Sequence, residues 1–283
     1  VLSAAGAAHA VIGDKATDAV GRGLSKLGMP MWSSAFPLAY YPHAIKTQPS
    51  ELKVVYFPSC INQTMGKSKG QSTPLIDKMV ALMEKAGYEV IFPKNMKNLC
   101  CGTIWESKGM PDIADRKAKE LDDALFEASD GGRYPVLCDQ SPCLHRMRNT
   151  IKRVKLYEPV EFIYEYLAPH LRFVQTDEPV ALHFTCSTRH MNLNDMFVAL
   201  AGMCTTKVVV PEEVGCCGFA GDKGFTDPEV NRYALRKLRK QLEAAGVKRG
   251  FSNSRTCEIG LTVNGGVPYQ SIAYLVDECT IKK

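Results

Sequence analysis

Gly215-Cys216-Cys217-Gly218-Phe219 is the stretch on which the reading of this chain turns. It has an upstream partner, Leu99-Cys100-Cys101-Gly102-Thr103. Each Cys-Cys-Gly triplet is preceded by a lone cysteine, Cys60 or Cys186, and followed by another, Cys143 or Cys257. Cys100 and Cys216 are separated by the same distance as Cys143 and Cys257 to within two residues. Cys60 and Cys186 lie further apart. The first half therefore carries an insertion between Cys60 and Cys100, or the second half a deletion. The pattern is a tandem repeat of one domain, each copy gathering four thiolates around one site.

The flanking sequence predicts where those cysteines sit. Lys53 to Phe57 is a short apolar run ending in Pro58, which suits a buried parallel strand, and Cys60 follows it. Thr73 as cap and Pro74 at the first helical position open a helix with Leu75, Met79, Met83 and Ala86 inward, ended by Gly87. Tyr88 to Phe92 reads as the next strand, with Cys100-Cys101 past its end. A helix from Pro111 turns Ile113, Ala118, Leu121 and Leu125 inward. Pro135 to Cys138 is a third strand, with Cys143 beyond it. Lys155 to Tyr157 is a fourth, followed by a helix from Val160 to Leu167.

The second half repeats the order. Strands at Val180 to Phe184, Lys207 to Val210 and Arg249 to Phe251 precede Cys186, Cys216-Cys217 and Cys257. Asp227-Pro228 opens a helix with Val230, Leu235, Leu238 and Leu242 inward, ended by Gly246, and a last amphipathic segment runs from Ser271 to Cys279. Alternating strands and helices imply an α/β fold of two pseudo-repeated lobes, each a small parallel sheet flanked by helices. Ligands of such sheets bind beyond the carboxyl ends of the strands, where every candidate cysteine falls. Ahead of the lobes, residues 1 to about 29 hold one helix, with Ala16, Val20, Leu24 and Leu27 at helical spacing. Pro30, Pro37, Pro42 and Pro49, with Trp32, Phe36, Tyr40 and Tyr41, mark an extended arm lying on a domain, with a partly disordered tail as the alternative. The expected division is 1–50 for helix and arm, 51–175 for the first domain and 176–283 for the second.

The chain has 283 residues, 45% hydrophobic and 23% charged, the balance of a soluble globular protein with room for two domains. A net charge of +5, spread along the chain, makes no argument for nucleic acid. No apolar run reaches the ~20 residues of a membrane span. Val1 to Ile12 lacks the charged n-region of a signal peptide, and the absence of an initial Met suggests a piece of a longer protein. With eleven cysteines and no secretory signal, a metal or redox site outweighs a disulfide framework.

Four thiolates suit a [4Fe–4S] cluster or a tetrahedral zinc. Adjacent cysteines reach one site only at a turn, which Gly102 and Gly218 permit. No Cys-x-x-Cys pair of structural zinc sites is present, which favours iron–sulfur. Cys204 and Cys279 lie in apolar segments and are assigned to the core. Cys138 is assigned to burial in its strand, with a spare ligand as the alternative.

The lone Cys, Cys-Cys-Gly and further Cys resemble the cysteine-rich "CCG" domain in tandem. That domain occurs in the heterodisulfide reductase B subunit and in the iron–sulfur subunits of glycolate oxidase, lactate utilisation proteins and anaerobic glycerol-3-phosphate dehydrogenase. Gly215 to Phe225, Ser254 to Leu261 and Tyr56 to Ile61 look like the C-terminal iron–sulfur part of FAD-linked D-lactate dehydrogenases. The resemblance implies that Cys60, Cys100, Cys101, Cys143, Cys186, Cys216, Cys217 and Cys257 hold one or two [4Fe–4S] clusters. It implies an upstream flavin domain carrying FAD, an upstream ferredoxin-like domain, and a quinone or other carrier as acceptor. The electrons would come from D-lactate or another 2-hydroxy acid, and no residue here would touch that substrate. The setting implied is cytoplasmic, with peripheral attachment at the inner face of the membrane as the variant. The full family motif ends in Cys-x-x-Cys. Here the first of those positions is Gln140 in one half and Ser254 in the other, which suits one four-ligand cluster per half rather than a five-cysteine, noncubane one. The competing readings are a zinc-bound or metal-free interaction scaffold and a disulfide reductase module.

Weaker signals add little. Gly66-Lys67-Ser68 matches the end of a phosphate loop, but the glycine required five residues earlier is Ile61. Arg236 to Lys240 is a basic run read as a solvated helix face. His183 and His145, close to Cys186 and Cys143, are read as hydrogen-bonded structural histidines, with a ligand or electrostatic role as the alternative. No Ser-His-Asp or paired-carboxylate arrangement is present, so no hydrolytic chemistry is assigned.

Overall fold

The computed structural model describes residues 2–30, 32–68 and 71–283. The chain begins with α1 (Leu2–Lys26), kinked at Gly13, and an extended arm. The first lobe follows: β1 (Lys53–Phe57), α2 (Cys60–Thr64), α3 (Leu75–Lys85), β2 (Glu89–Ile91), α4 (Thr103–Ser107), α5 (Pro111–Ala128), β3 (Val136–Cys138), α6 (Ser141–Thr150), β4 (Leu156–Tyr157) and α7 (Pro159–Phe162). After β5 (Leu171–Phe173) comes the second: β6 (Val180–Leu182), α8 (Cys186–His190), α9 (Asn194–Cys204), β7 (Val208–Val209), α10 (Pro228–Ala234), α11 (Leu238–Ala244), β8 (Gly250–Phe251), α12 (Arg255–Gly265), β9 (Tyr269–Gln270) and α13 (Ile272–Glu278). β10 (Thr280–Lys282) closes the chain, pairing antiparallel with β5.

The two main sheets are parallel and share one topology. Their orders are β2-β1-β3-β4 and β7-β6-β8-β9, so β6, β7, β8 and β9 stand where β1, β2, β3 and β4 stand in the first lobe. The alternation of side chains explains the packing. Val54 and Tyr56 of β1, Leu137 of β3, and Val180 and Leu182 of β6 enter one core, which also holds Met79 and Met83 of α3, Phe197 of α9 and Tyr274 of α13. The opposite faces, with Val55, Phe57 and Val136 in one lobe and Ala181 in the other, lie in separate outer cores. Both sheets are thus covered on both faces, and the inner face of each is covered partly by the other lobe. Lys78 and Lys85 of α3 both pair with Asp277 of α13 across this junction.

A polar layer completes the junction. Ser141 N donates to Asn253 O at 3.0 Å, and Gln140 Nε2 donates to Ser254 Oγ at 3.0 Å. Glu158, fully buried, accepts from Ser141 Oγ (2.6 Å), Asn253 Nδ2 (2.8 Å) and Val160 N (2.6 Å). Arg255, also buried, donates to Asn62 Oδ1 and Glu258 Oε2.

The arm does lie on the lobes. Phe36 enters the outer core of the second lobe, and Ala39 bridges to Met65. Thr47 Oγ1 then accepts from Val90 N at the edge strand of the first lobe.

Several details depart from the sequence reading. The spacing of Val20, Leu24 and Leu27 suggests an apolar face, yet these residues are 52%, 37% and 78% exposed. α1 instead packs through small residues: a Cβ on Gly21 would lie 2.0 Å from Trp32 O, and Thr17 is buried. Thr73 does not cap α3. The helix starts one residue later, with Pro74 at the cap position and no side-chain cap bond. The helix expected from Asp227 to Gly246 breaks between α10 and α11, and Val230 is exposed. The helix from Val160 widens into a π-helix at Ile163–Leu167.

Burial pushes the Glu158 carboxyl up to about 7, against the pull of its three donors. The unfolded chain releases that proton near 4.5, so between those values the folded protein binds more protons than the unfolded one. Stability therefore falls as pH rises through that window. Glu158→Gln removes this contribution. The difference in unfolding free energy between wild type and variant, from urea titrations, should narrow by on the order of 3 kcal/mol between about pH 4.5 and 8. A difference that is constant or widens would contradict the assignment.

Candidate functional site

In a doubly wound sheet the crevice forms where neighbouring connections leave in opposite directions, beyond the strand carboxyl ends. The central strands β1 and β6 lead to Cys60 and Cys186, each the first residue of a short helix. β3 and β8 lead to Cys143 and Cys257, each in the first turn of a longer helix, α6 or α12. The two doublets lie beyond β2 and β7. Positive helix ends favour the ionised form of a nearby thiol.

The structure draws each set of four together, as a chain of sulfur contacts in the same order. In the first lobe Cys60 interacts with Cys100, Cys100 with Cys101, and Cys101 with Cys143. In the second, Cys186 Sγ lies 3.6 Å from Cys216 Sγ, Cys216 meets Cys217, and Cys217 Sγ lies 3.1 Å from Cys257 Sγ. Among the described residues no group of three or more His, Cys, Asp or Glu is posed around a single metal-ion position. The donors are thiols alone, and that composition suits a polynuclear iron–sulfur group better than one hard cation.

The glycines make the doublets possible. Gly102 and Gly218 have φ of 88° and 72°. A Cβ on Gly102 would lie 2.5 Å from Ala114 O, and one on Gly218 2.8 Å from Val230 O. The turn also aims amide N–H groups at sulfur: Gly102 N to Cys100 Sγ at 3.4 Å, Gly218 N to Cys216 Sγ at 3.3 Å and Phe219 N to Cys217 Sγ at 3.4 Å. The consequence is an ionised sulfur in each set, Cys100 and Cys216. The neighbouring thiols Cys101 and Cys60, with the Gly102 amide, hold Cys100 down at about 2. Cys186 and Cys217, with the Gly218 amide, do the same for Cys216. Cys60, Cys101, Cys143, Cys186 and Cys217 are all raised, because each faces a sulfur that already carries charge or another buried thiol.

The remaining cysteines stay apart. Cys138 lies in the outer core of the first lobe, its thiol 3.9 Å from Gln140 O. Cys204 and Cys279 are in the shared core as expected, and there they are joined to each other as a disulfide, a pairing the sequence reading did not contain. His145 and His190 face each other with ring centroids 5.6 Å apart, linking α6 to α8.

Sequence reasoning missed the residues that hold the doublets. Buried Arg146 donates to Cys101 O at 3.0 Å and pairs with Asp115 and Glu106. In the second lobe Asn231 Nδ2 donates to Cys217 O. The two clamps differ in residue type and in the element that carries them, so the repeat gave no signal for either. Gln140 and Ser254 were legible only as departures from a motif. In the structure they are the cap residues of α6 and α12, and they meet each other.

These ionisation states can be checked on cluster-free, reduced protein. Iodoacetamide at about pH 5 should label Cys100 and Cys216 first, as read by peptide mass spectrometry, while Cys60 and Cys186 react only at alkaline pH. Equal labelling of all eight at that pH would contradict the arrangement.

A family model described as the cysteine-rich CCG domain matches the chain at residues 54–148 and again at 180–262. Lactate utilization protein A 1 of Bacillus mycoides is 22% identical over 248 residues, spanning 80% of this chain and 97% of that protein. Among solved structures, a hypothetical protein from Helicobacter pylori has a TM-score of 0.56 at 10% identity, spanning 91% of this chain and 53% of that one. An aspartate racemase from Picrophilus torridus has a TM-score of 0.36 at 7% identity, with 82% and 96% spanned. The matches at 54–148 and 180–262 contain all eight cysteines of the two sets, and the chain belongs to the cysteine-rich CCG-domain family, in two tandem copies.

Proposed function

We propose that the chain is an iron–sulfur electron-transfer module in the oxidation of lactate or another 2-hydroxy acid. The observation that carries this reading is the pair of thiol-only quartets, each assembled from the same strand-end positions with amide N–H groups directed at sulfur. The named relative is a lactate utilization protein matched over 97% of its length, which supports the substrate class. The ligands proposed are Cys60, Cys100, Cys101 and Cys143 in a domain spanning 51–175, and Cys186, Cys216, Cys217 and Cys257 in one spanning 176–283, with 1–50 as helix and arm.

A bound [4Fe–4S] cluster supplies one-electron transfer at each quartet. The chain's own groups prepare for it. Cys100 and Cys216 are already ionised, Cys60, Cys101, Cys143, Cys186 and Cys217 lose their protons on binding iron, and the glycine turns leave amide donors against sulfur. The electron donor proposed is a reduced flavin on an FAD domain, with a ferredoxin-like domain in the same polypeptide or complex, as for FAD-linked D-lactate dehydrogenases. The acceptor is a quinone or another carrier. The proposed setting is the cytoplasm or its membrane surface. Among the described residues no helix is long and apolar enough to cross a membrane.

Anaerobic reconstitution tests this reading. Wild type should take up roughly four irons and as many sulfides per quartet and give an EPR signal on reduction. Cys60→Ser and Cys186→Ser should each lower the iron content by about half, because each removes one ligand from one quartet. A protein that binds zinc and no iron would overturn it.

A further inference from the structure

A cavity of about 200 Å³ opens between the arm and the first lobe. Tyr40 and Ile45 come to it from the arm, Gln63 from α2, Ile76 from α3, and Phe92 and Met96 from the connection between β2 and the doublet. The arm is fastened on both sides of it: Tyr40 N donates to Thr64 O at 2.9 Å, and Thr47 Oγ1 accepts from Val90 N at 2.9 Å. Gln63 lies one turn after Cys60 on the same short helix, and the turn Met96–Asn98 leads through Leu99 to Cys100. Two sides of the cavity are thus continuous with segments that carry sulfurs of the first quartet.

The repeat shows how this space arises. Arg189 stands where Gln63 stands, three residues after the first cysteine, and Phe184 stands where Pro58 stands. Gln63 Nε2 donates to Pro58 O at 2.8 Å and Arg189 Nε to Phe184 O at 3.4 Å, so both side chains set out in the same direction. Arg189 is longer and reaches Val214 O at 3.5 Å, in the connection to its own doublet. That guanidinium bridges the gap that Gln63 leaves open. The cavity that remains beside Arg189 has a volume of about 10 Å³. His183, which also lines it, is buried with Nδ1 3.4 Å from Ser252 Oγ and belongs to the packing there.

What the larger cavity can hold follows from its lining. Its volume lies below that of drug-sized ligand sites and suits a head group of one or two rings. Its sides are aromatic and aliphatic. Its polar groups are the Tyr40 hydroxyl, the Gln63 amide, His43 and exposed Lys97, with no carboxylate among them. Burial and the Asp77 carboxylate push Tyr40 up to about 12, so its hydroxyl remains a donor. Lys97 has no ion-pair partner among the described residues. Apolar sides with donors between them select a flat apolar ring that carries acceptor oxygens. The adjoining sulfur segments select a ring that accepts electrons, and a quinone has both properties.

We propose that this cavity binds the head group of a quinone, which takes its electrons at the first quartet. The inference rests on the iron–sulfur reading of the quartets and chooses a quinone over other carriers. The 2-hydroxy acid loses two electrons and two protons and becomes a 2-oxo acid. The electrons pass by way of the flavin and the iron–sulfur module, one at a time. With two protons taken from water at the open side of the cavity, they turn both ring carbonyls into hydroxyls.

Two measurements test the proposal. The probe is 2,3-dimethyl-1,4-naphthoquinone, whose quinone ring has no free carbon for a thiol to attack. Anaerobic calorimetry should give one binding site per chain on cluster-free and on reconstituted protein alike. Gln63→Arg, which copies the closure of the second lobe, and Ile45→Trp, which fills the cavity from the arm, should each weaken binding about tenfold or more. No binding by wild type, or binding that both variants leave intact, overturns the proposal. Tighter binding of 2-naphthoate, an anion of similar shape that takes up no electrons, makes the cavity a carboxylate site and also overturns it. This arm needs no iron, so it stands or falls separately from the proposed function. The second measurement mixes the quinone rapidly with reduced, reconstituted protein and follows the visible absorbance. The quinone should re-oxidise the protein, at a rate per iron about tenfold lower in each variant. No re-oxidation, or equal rates in wild type and both variants, overturns the acceptor role. A protein that binds no iron overturns that role together with the proposed function, and calorimetry still decides what the cavity binds.

Discussion

Four sulfur atoms brought into contact cannot all ionise without a counter-charge, and the rest of the structure answers to that constraint. At ~4 Å two unit charges repel by about 4 kcal/mol even at an effective dielectric near 20. The fold therefore holds Cys100 and Cys216 as thiolates and lets neighbouring S–H and N–H groups point at them. Each element near the sites serves this end. The strands deliver cysteines to one rim, the helices start there with their positive ends, and the glycines bend the doublets back on themselves. Removing protons from the remaining thiols becomes favourable only when a positive group arrives, so binding and deprotonation are one event.

The lobes that carry these sites are not independent bodies. Their inner sheet faces share a core, and α3 and α13 are tied by two lysines on Asp277. The polar layer at the junction adds directionality that apolar contact lacks, since each buried donor must find its one acceptor. Glu158 is central there: three donors converge on it, and losing it would strand Asn253 Nδ2 and Val160 N. Such a layer fixes how the two rims face each other.

Much of this was legible in the sequence for a physical reason. Strands buried on both faces read as short apolar runs, so β1, β3 and β6 stand out, and the cysteines punctuate their ends. The repeat doubled the signal, because each half predicted the other. What escaped was set by contacts between distant segments. Helix spacing marked Val20, Leu24 and Leu27, but α1 docks by the close approach of Gly21 to the Trp32 backbone, which no apolar pattern encodes. Arg146 and Asn231 hold equivalent carbonyls with unlike side chains from unlike elements. The Cys204–Cys279 pairing joins α9 to the end of α13, and only the shared core brings those ends together.

The contact between Gln140 and Ser254 says how the duplicated lobes are related. These residues hold the same place in each repeat, and equivalent positions touch only at an approximate twofold axis. That axis therefore passes by the first turns of α6 and α12. Cys143 and Cys257 lie three residues further along those helices, on either side of it. The thiol sets are thus placed at one junction by the helices that supply a sulfur to each, and His145 of α6 facing His190 of α8 lies along the same seam. A change at Gln140 or Ser254 acts on both helix starts at once, so the two sites cannot be repositioned separately without breaking the hydrogen bond between them.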